Sequence, residues 1–252
     1  MDFGWAIFPP EPATLEWVAA VRDMALNDAQ NLDLLRHGGT WFAGVGALPN
    51  DPDGRLGDGP AFQCAARALA EDVTRPLPLH PAQVSVVHPG YPGRDPGETD
   101  AAHRYRRTRD AAHLDGLLPE GPDRRRHLRE PHAYILGVAL TSADRQAAPL
   151  VVYEQSHIVM RRAFLKALAG TDPRDWGEVD LTETYHATRR RCFEVCLRVE
   201  ISLKPGATVL LHRLSLHGTA PWSEGATADP EGRAIAYFRP QLQDMRDWLH
   251  LP

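Results

Sequence analysis

Three residues of this chain have the types and the spacing of a metal-ligand set. His113 and Asp115 stand two positions apart in the segment Ala-Ala-His-Leu-Asp-Gly, and His217 lies in the segment Leu-His-Gly-Thr-Ala-Pro-Trp. Two imidazoles and one carboxylate are the ligands that hold non-heme Fe(II) on one face, which leaves the opposite coordination positions open. If the three side chains meet in space, the sequence predicts an oxygenase whose open positions accept a co-substrate and dioxygen.

The strength of this signal differs among the three residues. Side chains two positions apart on a strand point to the same face, so His113 and Asp115 can bind one ion from a strand end. In a chain with 33 acidic residues, such a pair also arises by chance on the surface. His217 strengthens the interpretation because it follows a predicted strand and precedes a turn of small residues. Taken alone, it also fits a turn histidine that is hydrogen-bonded to the backbone.

The composition is that of an ordinary globular protein of 252 residues, with 43% hydrophobic and 24% charged residues and a net charge of −5. This charge gives no indication of a nucleic-acid partner. The first residues lack a basic start and a long apolar stretch, so we expect no signal peptide and no membrane span. Three cysteines do not indicate a disulfide framework, which is typical of a reducing compartment. We therefore expect a cytoplasmic protein, whose oligomeric state the sequence leaves open.

The spacing of apolar residues predicts helices and strands in separate parts of the chain. Helices are predicted at 13–36 and 61–73, with a loop rich in Gly, Pro and Asp at 44–60 between them. Two further helices are predicted at 158–169 and 181–193. Other segments are predicted to be extended (105–115) or a polar loop (116–130). Short strands separated by Gly and Pro turns are predicted at 83–87, 133–140, 149–153, 195–203, 208–212 and 234–238.

This order of elements favours a mainly β fold with flanking helices. Helices followed by many short strands indicate an antiparallel double-stranded β-helix (a cupin-like jelly roll) with helices packed outside. A doubly wound α/β sheet is less favoured, because strands and helices do not alternate regularly. We expect residues 1–252 to form a single domain, in which a helical N-terminal part (about residues 1–80) packs on the jelly-roll core.

Arg233 opens the last predicted strand, and its side chain shares one strand face with Ile235 and Tyr237. An arginine at this place is either an edge residue or a buried clamp for an anion. Its planar guanidinium suits a carboxylate bound by two hydrogen bonds. A 2-oxo acid that chelates iron through its keto acid end needs such a clamp for its distant carboxylate. Arg239, at the other end of the same strand, is the second candidate for this role.

The order of these motifs resembles that of Fe(II)/2-oxoglutarate dioxygenases. A His-x-Asp motif, a distal His-Gly and an arginine on the next strand follow one another as in that superfamily, and the closest resemblance is to the phytanoyl-CoA hydroxylase family. The resemblance spans residues 83–240, and residues 149–157 resemble that family's strand ending in a Gly-Ser-His turn. The chain departs from the family pattern at Gln155, at Ala147 and Ala148, and in a longer segment before the arginine.

The resemblance implies a cofactor set, a reaction and a role for each residue. Fe(II) is bound by His113, Asp115 and His217. The co-substrate 2-oxoglutarate chelates the iron and pairs with Arg233, and dioxygen takes the last position. Thr219 is a further candidate for binding the co-substrate carboxylate, with turn capping as the alternative. Succinate and carbon dioxide are formed while a small-molecule substrate is hydroxylated, because Asp115 occupies the position that is open for a halide in related halogenases.

Other residues and other function classes stay open at this point. Tyr105, Arg107 and Arg109 alternate along a predicted strand, where they hold either an anionic substrate or a solvated edge. His132 begins an apolar strand and either lines the cavity or lies in the core. The same ligand set also fits a cupin-like protein that binds a metal or small ligand without turnover, or a zinc hydrolase. The candidate arginine clamp and the lack of an obvious general-base glutamate disfavour the hydrolase.

Overall fold

Two antiparallel sheets form the centre of the protein in the computed structural model, which describes residues 1–252. The strands are β1 (Trp5–Phe8), β2 (Leu35–Arg36), β3 (Trp41–Leu48), β4 (Ala82–Val87), β5 (Leu117–Glu120), β6 (Arg125–Leu128), β7 (Tyr134–Ala139), β8 (Leu150–Tyr153), β9 (Arg198–Ile201), β10 (Thr208–His212), β11 (His217–Thr219) and β12 (Arg233–Phe238). The larger sheet has the order β1-β10-β7-β12-β4-β3-β2, and the smaller has the order β11-β8-β9. Strands β5 and β6 form a separate hairpin.

Helices cover the outer faces of the sheets. They are α1 (Pro12–Asn27), α2 (Ala65–Thr74), α3 (Asp100–Arg109), α4 (Ser156–Ala167), α5 (Thr182–Val195) and α6 (Asp247–His250). Helix α1 contacts β3 and β4, and α2 contacts β7 and β10, so both lie on the larger sheet. Helix α4 packs on α5, whose Phe193 ring lies 5.1 Å from the Tyr153 ring in β8. None of these helices combines the length and apolar character needed to cross a membrane.

The space between the two sheets is filled by inward-facing apolar side chains from β7, β8, β9, β10 and β12. Along β12, Ile235 and Tyr237 belong to this inter-sheet core, whereas Ala234, Ala236 and Phe238 belong to the core beneath the helices. The alternation follows from the period of two along a strand. Since Arg233 lies two residues before Ile235, its side chain leaves the strand on the same inward face of the sheet.

The structure confirms the predicted mainly β fold with flanking helices. Two antiparallel sheets with a shared core are the layers that a double-stranded β-helix requires, and the jelly-roll assignment itself stays a prediction. The N-terminal part is less helical than expected. Besides α1 and α2, residues 1–80 contribute β1, β2 and β3 to the larger sheet.

The segment before the candidate metal ligands differs most from its prediction. Residues 105–115 are not a strand, because α3 extends to Arg109. Thr99 begins this helix with a side-chain oxygen that accepts a hydrogen bond from the backbone N–H of Ala102 (3.2 Å). Asp110 ends it in the left-handed conformation, with φ of 57°. The predicted alternation of side chains over this segment was therefore wrong.

Three other local predictions were also wrong. The predicted loop at 44–60 begins inside β3, where the Phe42 ring covers Gly44 so closely that a Cβ there would lie 2.4 Å from a ring carbon. The predicted loop at 116–130 contains the β5–β6 hairpin. The helix predicted at 13–36 ends at Asn27, after which the chain forms two short 3-10 helices and β2. The remaining predicted helices and strands match the structure to within a few residues.

Candidate metal centre

Backbone pairing places the two candidate histidine ligands side by side. The N–H of His113 donates to the carbonyl of His217 (2.8 Å), and the N–H of His217 donates to the carbonyl of His113 (3.1 Å). In β11, His217 in turn lies opposite Val152 of β8, a residue of the inter-sheet core. The two imidazole centroids are 4.7 Å apart. Two residues that are distant in sequence thus share one short stretch of sheet.

A buried carboxylate holds the loop that carries His113 and Asp115. Asp110 Oδ1 and Oδ2 accept hydrogen bonds from Arg198 Nη2 (2.7 Å) and Nε (2.8 Å), and Oδ2 also accepts one from the Tyr153 hydroxyl (3.0 Å). A fork of this kind is among the stronger protein hydrogen-bonding arrangements. The loop is therefore fixed to β8 and β9 by side chains that are not themselves candidate ligands.

The same loop lies unusually close to β11. The carbonyl oxygen of Asp110 accepts a hydrogen bond from the N–H of Thr219 (2.8 Å). A Cβ at Gly218 would lie 2.1 Å from that carbonyl oxygen, which no side chain tolerates. Glycine after the distal histidine is therefore required by the close approach of two backbones.

Backbone carbonyls orient both imidazoles toward one carboxylate. His113 Nδ1 lies 3.1 Å from the carbonyl of Ala111, and His217 Nδ1 lies 2.9 Å from the carbonyl of Ser215. When Nδ1–H donates to these carbonyls, the lone pair of Nε2 is free to bind a metal. His113 Nε2 lies 3.2 Å from Asp115 Oδ1, and His217 Nε2 lies 3.7 Å from Asp115 Oδ2. We call His113, Asp115 and His217 the triad; its ligand atoms lie within 4.8 Å of one another.

The surroundings favour the protonation states that a metal needs at Asp115 and His217, and the opposite state at His113. Burial raises the pKa of Asp115, but Arg239, His217 and His113 outweigh it and hold that pKa well below its usual range. Burial lowers the pKa of His217 to about 4, so its imidazole is neutral at neutral pH. Burial also acts to lower the pKa of His113, but the hydrogen bond and charge of Asp115 raise it overall. An ionised carboxylate beside imidazole nitrogens is a donor set for a divalent cation.

A buried oxygen without a hydrogen bond tests whether a metal fits the triad. Asp115 Oδ2 is buried and accepts no hydrogen bond, although Arg239 Nε lies 2.8 Å from it. Oδ2 also lies 3.7 Å from His217 Nε2, so an ion bound by these atoms would add a partner to an oxygen that is otherwise paired with Arg239 alone. Two nitrogens and one oxygen on one side suit Fe(II), and zinc accepts the same ligands. The residues therefore fit a divalent transition-metal ion.

Two cavities meet at the triad. The inner cavity, of about 170 Å³, is lined by inward-facing residues that include Ser85, Leu150 and Tyr237. The outer cavity, of about 490 Å³, is bounded by Tyr91 and by residues of the β5–β6 hairpin. The site thus offers separate spaces for two molecules next to one metal. Six residues line both cavities, namely Trp41, His113, Asp115, Gly218, Thr219 and Arg239.

The two candidate arginine clamps occupy different places. Arg239 lines both cavities, and besides its contact with Asp115 it donates from Nη1 to Gln83 Oε1 (2.5 Å). This contact with the triad was missed from the sequence. Arg233 is buried next to the phenol of Tyr237, which lines the inner cavity, and its Nε and Nη2 have no hydrogen-bond partner. Burial lowers the pKa of Arg233, while Tyr237 and Tyr91 oppose that shift.

Helix α3 directs Tyr105, Arg107 and Arg109, which the sequence predicted to share one strand face, to different places. Arg107 and Arg109 are exposed and line neither cavity, so the predicted substrate-binding row does not form. The Tyr105 hydroxyl donates to the carbonyl of Ala112 (2.6 Å), which supports the loop of the triad. Arg106, which the strand interpretation passed over, lines the outer cavity. His132 is buried and lines the same cavity.

No family model matches the chain, and no curated protein matches it. Similar solved structures include the non-heme alpha-ketoglutarate-dependent carbocyclase SnoK from nogalamycin biosynthesis (14% identity, 98% of this chain and 85% of that chain, TM-score 0.42). A second is HygX from Streptomyces hygroscopicus with nickel and 2-oxoglutarate bound (15% identity, 96% of this chain and 84% of that chain, TM-score 0.45). A third is EctD from S. alaskensis with bound Fe (16% identity, 96% of this chain and 73% of that chain, TM-score 0.40). At identities and TM-scores this low, these likenesses assign neither a substrate nor a reaction to this chain.

Proposed function

We propose that the chain is an Fe(II)- and 2-oxoglutarate-dependent dioxygenase that hydroxylates a small organic molecule, with residues 1–252 acting as one domain. The observation that supports this most is the convergence of two imidazole nitrogens and one carboxylate oxygen within 4.8 Å, where two cavities meet. Three protein ligands on one side of a bound ion would leave positions for a co-substrate and dioxygen.

The triad would bind the iron. Carbonyl oxygens of Ala111 and Ser215 hold the Nδ1 protons of His113 and His217, so both Nε2 lone pairs stay directed at the same point. When bound, Fe(II) and 2-oxoglutarate together would activate dioxygen, which supplies one oxygen atom to the substrate and one to succinate. The chain itself contributes the orientation of the ligands and the two cavities that meet at them.

2-Oxoglutarate would extend from the inner cavity to Arg233, which lies beside Tyr237 and lines an adjoining small cavity with Leu150 and Ile235. This guanidinium has buried N–H groups without a partner, and a carboxylate would satisfy them. The hydroxyls of Tyr237 and Thr219 are further donors along the inner cavity. Arg239 is the second candidate, but its guanidinium already contacts the carboxylate of Asp115. Arg233 is therefore the better clamp.

Asp115 favours hydroxylation over halogenation. Its carboxylate would occupy the coordination position that a halide needs. Its negative charge also neutralises part of the charge of the ion, which disfavours binding of a further anion. We therefore expect the substrate to gain oxygen and not a halogen.

Anaerobic titration tests the iron site. Fe(II) and 2-oxoglutarate should give the weak visible charge-transfer band of an iron-chelated 2-oxo acid, because the chelate forms next to the triad. Alanine at His113, Asp115 or His217 should abolish the band. His250→Ala, at an exposed histidine of α6, is the matched control and should retain it. A triad variant with wild-type iron affinity would exclude that residue from the ligand set.

Succinate formation tests the reaction. With Fe(II), 2-oxoglutarate and oxygen, the protein should release succinate, and the His250→Ala control should match it. Iron binding without succinate, whatever substrate is offered, would favour the cupin-like binding protein. Hydrolysis that needs Zn(II) and is independent of 2-oxoglutarate would favour the zinc hydrolase.

A further inference from the structure

The outer cavity carries more positive than negative side chains. Two carboxylates line it, and both are engaged: Asp115 belongs to the triad, and Glu130 lies 3.2 Å from Nε2 of His132. Four guanidinium groups line the same cavity, which has a volume of about 490 Å³. The charge of the cavity is therefore set by its arginines, which are Arg106, Arg124, Arg126 and Arg239.

Two of these arginines have no carboxylate partner. Arg106 pairs with the buried carboxylate of Glu98, and Arg239 pairs with the carboxylate of the triad. Arg124 and Arg126, on the β5–β6 hairpin, form no ion pair. Burial lowers the pKa of Arg126, Tyr185 opposes this, and the nearby Arg124 lowers that pKa further. Two neighbouring guanidinium groups of the hairpin thus line the cavity without an ion-pair partner of their own.

Arg126 is held in place by groups that leave its charge uncompensated. Its backbone N–H donates to Thr182 Oγ1 (2.7 Å), and its carbonyl accepts from the N–H of Leu181 (2.9 Å) at the start of α5. Its Nη1 donates to the carbonyl of Leu117 (2.9 Å), and its guanidinium lies 5.8 Å from the ring centroid of Tyr185. Neutral partners on one side leave the other N–H groups of a rigid fork available to a ligand.

We propose that the outer cavity binds an organic anion as the substrate, with its carboxylate or phosphate group on Arg124 and Arg126. Both acid groups accept paired hydrogen bonds from guanidinium, and either would remove the repulsion between the two arginines. The apolar part of the substrate lies along Trp41 and Tyr91, aromatic residues that line the same cavity. This inference rests on the proposed function, since it treats the cavity beside the triad as the substrate site.

Binding of simple aromatic anions to the metal-free protein tests the proposal. The probes are phenyl phosphate, benzoate and neutral benzyl alcohol, measured by isothermal titration calorimetry. Both anions should bind at least about tenfold more tightly than benzyl alcohol, because only they pair with guanidinium. The tighter of the two identifies the acid group that the site prefers.

Variants of the hairpin locate the site. Arg126→Gln should weaken binding of both anions by about tenfold or more, and Arg126→Lys should restore part of the affinity. Arg125→Gln is the matched control, because Arg125 is next in sequence but pairs with Asp180 (3.4 Å) and does not line the cavity. Arg233→Gln is a second control, which should not alter anion binding if the anion occupies the outer cavity.

Several results would overturn the proposal. They are equal affinity for benzyl alcohol and the anions, unchanged anion binding in the Arg124→Gln/Arg126→Gln double variant, or an equal loss in Arg125→Gln. Because no metal takes part, the outcome is independent of the iron and succinate assays. Anion binding as expected without succinate formation would overturn the dioxygenase proposal alone, and succinate formation without anion selectivity would overturn this inference alone.

Discussion

Replacing Arg198 by alanine should weaken the metal centre without removing a metal ligand. Arg198 donates two hydrogen bonds to the carboxylate of Asp110, which begins the loop of the triad. The Asp110 side chain is 3% exposed and that of Arg198 is 39% exposed. In Arg198→Ala, the buried Asp110 carboxylate keeps one side-chain hydrogen-bond donor, the Tyr153 hydroxyl.

The size of the effect follows from the burial of the two partners. Removing one partner of a fully buried ion pair destabilises a protein by about 3–5 kcal/mol. Water reaches part of Arg198, so we expect a smaller loss of about 2–3 kcal/mol in the free energy of unfolding. For a chain of this length, that loss lowers Tm by about 4–12 °C. Loss of a group that supports a metal ligand lowers metal affinity by about 10–100-fold, so iron affinity should fall by at least about tenfold.

Thermal unfolding and anaerobic Fe(II) titration of the same samples measure both effects. Glu200→Gln is the matched control, because Arg198 Nη1 also donates to Glu200 Oε1 (2.7 Å) at an exposed place. Glu200→Gln should lower the free energy of unfolding by under about 1 kcal/mol and leave iron affinity unchanged. The reasoning fails if Arg198→Ala unfolds at the wild-type temperature. If Tm falls but iron affinity does not, Asp110 stabilises the fold and does not position the triad.

Three further predictions concern the residues around the triad. Arg233→Ala should retain iron but bind 2-oxoglutarate well over tenfold more weakly, since losing a buried charge partner costs about 2–5 kcal/mol; if Arg239→Ala shows that loss in its place, Arg239 is the clamp. Product formed under labelled dioxygen should carry one labelled oxygen atom, and adding chloride should leave it unchanged; a chlorinated product would contradict the role given to Asp115. Gly218→Ala should lose iron binding and unfold at lower temperature, because its Cβ would lie 2.1 Å from a carbonyl oxygen. Gly177→Ala, whose Cβ would come no closer than 3.2 Å to its neighbours, should show a much smaller change in calorimetry and metal titration.

The candidate metal ligands could be chosen by residue type, because Fe(II) selects nitrogen and oxygen donors whatever the backbone does. The strand that carries Arg233 could be predicted as well, since its alternation between Ile235 and Ala236 matches the two cores on either side of the sheet. The sequence therefore predicted the triad and the inward face of β12. It did so although the geometry assumed for His113 and Asp115, a regular strand, was wrong.

What the sequence could not predict depends on contacts between distant segments. Helix α3 carries a local signal in Thr99 and Asp100, an N-cap followed by an acidic first turn, which the alternating polar residues after them obscured. No local pattern places Arg239 beside Asp115, because that contact depends on how β12 lies against the loop of the triad. The glycines in β3 suggested a loop, but pairing with β4 and the ring of Phe42 override that preference.

The reciprocal backbone hydrogen bonds between His113 and His217 have a consequence for how the protein folds. They close a long stretch of chain, and the entropy lost in that closure must be offset by the contacts that form. The unfolded chain therefore presents no formed site, and an ion bound to the triad holds the folded state against unfolding. At an ion concentration 100-fold above Kd, this linkage adds about 2.7 kcal/mol to the free energy of unfolding. The melting temperature with and without metal thus reports on the triad before any substrate is known.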